Sequence, residues 1–411
     1  MRKVSSPAPP DAAIAPAAAV RSIRTGFAQM RVLQFGKFYP PHVGGIERVM
    51  YDITEGLNSR GITCDVLCSN KERKYIEETG AGYRVMRTRS YGIVLSASIS
   101  PQIISKLRSV QTGYDIIHVH LPDPMAGVAL FMTKPRSKLV LHWHNDIVRQ
   151  RLLLQFYLPV QSWMLRRADA VVTTSPNYIE GSPYLANHKA KCHVVPIGVD
   201  KDRMAVSPAK VSEIRERFPG KRIVFSIGRL SHYKGYTYLI EAARHLGDNY
   251  VTLIAGSGPL RRQLEDQIRS ARLEGRVSLL GPVRFEDVGS YYEACDVYCL
   301  SSISRNEGFG LVQIEAMLFR KPVVSTAVEG SGITWANIDG KTGYVVEPRN
   351  PKALAEAIER ICTNEGLYAR FGEAGFKRAT EVFTVKRMLD STIDVYDGVI
   401  GGGVSRQEAE K

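Results

Sequence analysis

Ile223-Val224-Phe225-Ser226-Ile227-Gly228-Arg229-Leu230-Ser231-His232-Tyr233-Lys234-Gly235 passes from an apolar run into a glycine turn and then into charged residues. A short run rich in β-branched and aromatic residues reads as a buried strand, and the glycine as the turn at its carboxyl end. The same order recurs on both sides. Residues 251–255 lead into Gly256-Ser257-Gly258-Pro259-Leu260, and residues 32–35 into Lys37-Phe38-Tyr39-Pro40-Pro41-His42-Val43-Gly44-Gly45. Further strands are expected at 63–68, 116–120, 139–142, 170–173 and 193–196, then at 277–280, 297–300 and 322–326. Helix-like segments separate these runs, the pattern of βαβ units in parallel sheets.

Two series of similar length predict an α/β chain of two Rossmann-like, doubly wound domains facing a central cleft. A chain of 411 residues exceeds one ordinary core and fits two domains of roughly 180 residues. The polar, turn-rich stretch 198–203 is the expected linker, so the domains run 30–200 and 201–384. A helix at 385–400 is expected to pack back on the first domain. Residues 1–29, rich in Ala and Pro, and the tail 401–411 read as disordered, and Pro9, Pro10, Asp11 and Pro16 break the apolar core a signal peptide needs.

The net charge of +14 calls for an anionic partner: phosphorylated small molecules, an anionic membrane face or nucleic acid. Nucleic acid is set aside because the basic residues are spread along the chain without a zinc-finger or RNP-like pattern. The six cysteines lie mostly in strand-like contexts, as expected of reduced core thiols in a cytoplasmic protein. No run is long and apolar enough to span a membrane. The apolar, aromatic and basic segment 147–167, interrupted by Pro159, suits either a core helix or peripheral contact with the inner face of the cytoplasmic membrane.

In open α/β sheets, ligands bind beyond the carboxyl ends of the strands. Arg229 and Lys234 put two cations there, suited to a diphosphate. In Glu307-Gly308-Phe309-Gly310-Leu311-Val312-Gln313-Ile314-Glu315 a glycine turn leads to a helix starting near Leu311, whose amino end favours a phosphate, with a carboxylate on either side. Gly44 and Gly45 also stand before a helix. Gly256-x-Gly258 lacks the third glycine of a dinucleotide fingerprint. His118, His120, His142 and His144, with Asp123, Asn145 and Asp146, invite a metal reading, but nothing fixes a ligand set and hydrogen bonding is the commoner use. Asp200-x-Asp202 reads as a turn cap rather than a metal dyad.

Together, the loop 39–45, Gly228-Arg229-x-x-x-x-Lys234-Gly235, Gly256-x-Gly258-Pro259 and Glu307-x7-Glu315 resemble the retaining glycosyltransferases of family 4, with the GT-B fold, over about residues 30–399. The resemblance implies a catalytic group of His144, Glu307, Arg229 and Lys234. It implies nucleotide-sugar binding by Gly44, Gly45, Gly256, Gly258, Phe309, Gly310, Leu311 and Glu315. His144 and Glu307 would face the sugar, Arg229, Lys234 and the backbone of 309–311 the phosphates, and Glu315 the ribose. No metal and no other cofactor are implied. The chain departs from the family at Gly330-Ser331-Gly332-Ile333-Thr334-Trp335, where many members read Gly-Gly-x-Pro-Glu. The block 142–177 looks similar to mannosyl- and rhamnosyltransferases of bacterial polysaccharide and lipopolysaccharide synthesis. The implied partners are GDP-mannose and a lipid-linked or oligosaccharide acceptor. Competing readings are a UDP-sugar-dependent member, a sugar-nucleotide epimerase of the same fold, and a non-catalytic sugar-nucleotide binder.

Overall fold

The computed structural model describes residues 30–401 except Val43, Ala81, 95–96 and 147–150, and leaves out the side chains of residues 151–154. The expectations for residues 1–29, for the tail beyond 401 and for the start of the segment 147–167 lie outside the described residues.

The alternation of apolar runs and helices resolves into two main sheets. The first contains β1 (Arg31–Phe35), β2 (Thr63–Ser69), β3 (Ile76–Gly80) and β4 (Tyr83–Thr88), then, beyond a small hairpin of β5 (Ile93–Val94) and β6 (Ala97–Ser98), β7 (Ile116–Leu121), β8 (Lys138–Trp143), β9 (Ala170–Thr173) and β10 (Cys192–Val194). Its order is β10-β9-β8-β7-β1-β2-β4-β3, parallel except for β3 on β4. The second has β11 (Arg222–Ile227), β12 (Tyr250–Ala255), β13 (Val277–Gly281), β14 (Val297–Leu300), β15 (Val323–Thr326) and β16 (Gly343–Val346), in the order β13-β12-β11-β14-β15-β16. The order reverses between β1 and β7 and again between β11 and β14. Those are the two points where the connections diverge and a crevice opens.

Strands covered on both faces must be apolar throughout, which is why these runs were legible. Leu33, Phe35, Ile117, Val119, Leu139 and Leu141 fill one face of the first sheet. Val32, Ile116, Val140 and Val172 face the other way, into a core that continues through Ile223 and Phe225 to Phe383 and Tyr396. The helix Val385–Ile400 lies against the first half of the chain. Arg60 pairs with Asp390 at 2.7 Å, and Gly56 leaves no room for a Cβ beneath Leu389.

Several features depart from expectation. The β3–β4 pair, the short β5–β6 hairpin and β16 were not foreseen, and β3 is largely exposed with no apolar alternation. The terminal strand β10 spans Cys192–Val194 rather than 193–196. The helix Arg151–Arg167 runs through Pro159 instead of being interrupted by it, burying Met164 and Leu165 while Phe156 is 84% exposed. Asp200 does cap a turn, accepting from the Asp202 amide at 3.0 Å.

Candidate active site between the two sheets

The reversal in the second sheet brings the loop after β11 beside the loop after β14. Lys234 closes a short 3-10 turn, His232–Lys234, and is buried. Its Nζ meets Glu307 Oε2 at 2.6 Å, and Ser302 Oγ donates to the same oxygen at 3.1 Å. Burial alone would lower the ammonium pKa, but the carboxylate beside it prevails and holds it above the usual lysine range. Arg229 is instead exposed, with no side-chain partner among the described residues. The two cations expected to act together thus differ, one committed to a carboxylate and one free to meet an anion.

Past Glu307 the chain turns sharply at Gly310, whose φ of 76° suits glycine, and enters the helix Leu311–Leu318. The Phe309 ring is buried against Trp335 and Phe383, so only the backbone of 309–311 is placed to face an anion. Glu315 lies one turn into the helix and accepts from the Tyr292 hydroxyl at 2.7 Å. Burial raises its carboxyl pKa, and the tyrosine bond opposes that rise. The two glutamates therefore engage separate groups.

The segment that departs from the family pattern supports this loop. Ser331 Oγ donates to Glu307 O at 2.5 Å, and the Gly332 amide to Gly308 O at 2.8 Å. Asn177, from the first half, donates to Thr334 Oγ1 at 2.9 Å. The loop holding Gly256 and Gly258 packs on the loop holding Arg229. Any Cβ on either glycine would strike the backbone of Gly228 or Leu230, so local packing by itself requires both glycines.

The first sheet contributes His144, just beyond β8. A Cβ on Gly308 would lie 2.7 Å from His144 O, so the histidine loop and the Glu307 loop touch across the cleft. Asp146 and Arg305 join the same loops by an ion pair of 2.5 Å. Trp143 Nε1 donates to Asp146 at 2.7 Å, and Ser182 Oγ at 3.0 Å. Gly44 is the N-cap and Gly45 the first residue of the helix Gly45–Asn58. Arg48, on its first turn, lies 5.6 Å from the Phe285 ring of the second half and within electrostatic reach of Glu315.

His118, His120, His142 and His144 form a buried stack at the reversal of the first sheet, with ring planes within 26° of parallel. Burial pushes His118 and His144 down to about 3, and His120 and His142 well below the ordinary value. His118, His120 and His142 bring one nitrogen each within 4.8 Å of the others, a spacing a metal ion could use. However, near-parallel rings do not converge on a common centre, and both nitrogens of His120 already have partners. Nor do the neighbouring carboxylates complete a site. Asp123 caps the helix Pro124–Thr133, accepting from Met125 N at 3.1 Å, and Asp146 is held by Arg305.

Sequence reasoning missed the support behind these groups: Gln34, Tyr396, Tyr292, Ser302, Ser331 and the Asp146–Arg305 pair. Ser331 and Asp146 stand in segments the sequence did single out, but not for these contacts, and Gln34, Tyr396, Tyr292, Ser302 and Arg305 lie in no local motif.

Two family models match the chain: Glycosyltransferase Family 4 over residues 43–203, and Glycosyl transferases group 1 over residues 209–378. The chain is 32% identical to D-rhamnosyltransferase WbpZ of Pseudomonas aeruginosa, over 86% of this chain and 92% of that protein. It is 29% identical to O-antigen chain mannosyltransferase C of Escherichia coli, over 89% and 98%. Among solved structures, sucrose-phosphate synthase of Thermosynechococcus elongatus superposes with a TM-score of 0.74 at 22% identity, covering 91% of this chain and all of that one. Anabaena HepE in complex with UDP gives 0.72 at 22% identity, covering 90% and 100%. Both likenesses are of fold, the two-domain GT-B arrangement.

Proposed function

The chain belongs to the glycosyltransferases of family 4, and from that premise we propose that it is a retaining hexosyltransferase. It moves mannose from GDP-mannose to a lipid-linked or oligosaccharide acceptor in O-antigen or related polysaccharide synthesis. One observation carries the reading. The Lys234–Glu307 pair, at 2.6 Å, belongs to a loop that touches the His144 loop, so a cation, a carboxylate and an imidazole from both sheets border one cleft. The names of the two relatives support the transfer of mannose or a related sugar.

In this reading the bond between the anomeric carbon and the phosphate oxygen breaks. The acceptor hydroxyl forms its bond on the same face, and its proton passes to the departing phosphate. Negative charge growing on the leaving group is met by Arg229, by Lys234 and by the amides at the start of the helix Leu311–Leu318. Glu307 and His144 hold the sugar as positive charge develops at the reacting carbon, and Glu315 holds the ribose. The amides beyond Gly44 and Gly45 face the donor phosphates or the acceptor. The loop holding Gly256 and Gly258 borders the nucleotide. In this reading a lipid-linked acceptor is reached by peripheral contact from the cytoplasmic side; no helix among the described residues is long and apolar enough to cross a membrane.

A panel of GDP-, UDP-, ADP- and dTDP-sugars, each with a polyprenyl-linked or oligosaccharide acceptor, tests the proposal. GDP-mannose should release GDP fastest, and only when acceptor is present. Faster turnover of a UDP-sugar would replace the donor assignment, and conversion of donor without acceptor would point to an epimerase.

A further inference from the structure

The polar groups behind His144 form a chain that leaves the cleft and ends on the last helix. His144 Nε2 lies 3.0 Å from His120 Nδ1, and His120 Nε2 lies 2.7 Å from Gln34 Oε1. Gln34 Nε2 donates to the Tyr396 hydroxyl at 3.1 Å, and that hydroxyl lies 2.6 Å from His118 Nδ1. Every member is buried, and Gln34 and His118 are direct neighbours in the register of β1 and β7. Polar groups shut away from water are costly unless paired, so this chain specifies an arrangement rather than filling space.

We propose that Gln34, His120 and Tyr396 are positioning residues that fix the tautomer and ring orientation of His144. The helix Val385–Ile400 thereby supports an imidazole that it does not touch. The proton assignment follows from the amide. Gln34 presents its oxygen to His120, so His120 carries its proton on Nε2. Nδ1 of that neutral ring is then a lone pair, and the partner 3.0 Å away, His144 Nε2, must donate to it. His144 is left with Nδ1 as its acceptor. At the far end the Gln34 amide donates to the Tyr396 hydroxyl, which itself lies 2.6 Å from His118 Nδ1, so the amide is held at both of its ends. Without the hydroxyl, the amide gains freedom to invert. An inverted amide would reverse the sense of both hydrogen bonds and move the His144 proton to Nδ1.

This inference deepens the reading of His144 as the histidine at the sugar and rests on it for its catalytic consequence. The test is Tyr396→Phe, which keeps the ring that fills the core, alongside Gln34→Leu. Nitrogen-15 spectra of histidine-labelled protein report the tautomer without any turnover, with the His144 signals assigned by their loss in His144→Asn. Wild-type His144 should show a single form protonated at Nε2, and both variants a mixture. In Tyr396→Phe, kcat for sugar transfer should fall about tenfold, the rate equivalent of about one hydrogen bond of positioning. KM for the donor should stay within about twofold, because the binding groups are untouched. A wild-type His144 protonated at Nδ1, or variants whose tautomer and kcat match wild type, would overturn the proposal. A wild-type enzyme inert with every donor would instead sink the functional reading, and the spectra would still decide the tautomer.

Discussion

The two sheets reach the same cleft with opposite electrostatics. At its reversal point the first sheet presents buried histidines, held neutral by the absence of water and placed by hydrogen bonds. The second presents a buried cation on a half-buried carboxylate, with an exposed arginine nearby. A donor nucleotide carries its charge at the diphosphate, whereas its sugar is uncharged. On the proposed reading the difference would sort the cleft by substrate chemistry, with charge where charge must be met and neutral donors and acceptors where hydroxyls must be oriented.

Breaking the charged side should have the largest effect. Lys234→Met should lower turnover by about 10²–10³, the loss typical of one transition-state donor. It should also cost about 1–3 kcal/mol of stability, because the half-buried Glu307 loses its ion partner and keeps only the Ser302 hydroxyl. Adding Glu307→Gln should restore most of that stability and none of the turnover, and Arg229→Ala should lower turnover without destabilising the exposed site. Denaturant melts beside steady-state rates would separate these effects. Recovery of turnover in the double variant would mean that the pair is structural only.

The neutral side should reveal itself in acid. Unfolded histidines take up protons below their ordinary value of 6.5, while the folded stack resists until about 3 for His118 and His144. The unfolded chain then binds more protons, so stability is fully present above 6.5 and is lost as pH falls towards 3. Asp123, pushed up to about 6 by burial, and Glu315 act in the opposite sense. The four imidazoles outnumber these two opposing carboxyls, so stability should fall as pH drops from 7 to 5, by about 1.4 kcal/mol per pH unit for each uncompensated proton. Melts at pH 5 and pH 7 that show no such loss would erase the contrast between the sheets.

The smallest change should sharpen the comparison. His142 has no hydrogen-bond partner at either ring nitrogen among the described residues. His142→Phe should leave turnover within about threefold and stability at pH 7 within about 1 kcal/mol, since an unpaired buried polar group is removed rather than created. It should also reduce the acid dependence by one proton. A fall in turnover like that of Lys234→Met would move His142 into the catalytic group.

The fold was readable because strands buried on both faces carry continuous apolar runs, and those runs do not depend on distant residues. Exposed β3, with Glu77-Glu78-Thr79 at its centre, has no such run and was invisible. The loops after β11, β12 and β14 were readable as glycine turns at strand ends. Their partners were not: nothing near Glu307 in sequence announces Lys234, and nothing near Asp146 announces Arg305. The gap is widest between Gln34 and Tyr396, whose pairing exists only once the last helix has crossed back to β1.

That return has a consequence for how the protein is made. The first sheet leaves the ribosome early, but Leu389 and Tyr396, which seal it against Gly56 and Gln34, come from the helix that ends at Ile400. Until then the nascent chain carries an unsealed apolar face and an amide lacking its tyrosine, features that invite chaperones. Birth order and assembly order therefore differ: the first sheet to be synthesised is the last to be completed.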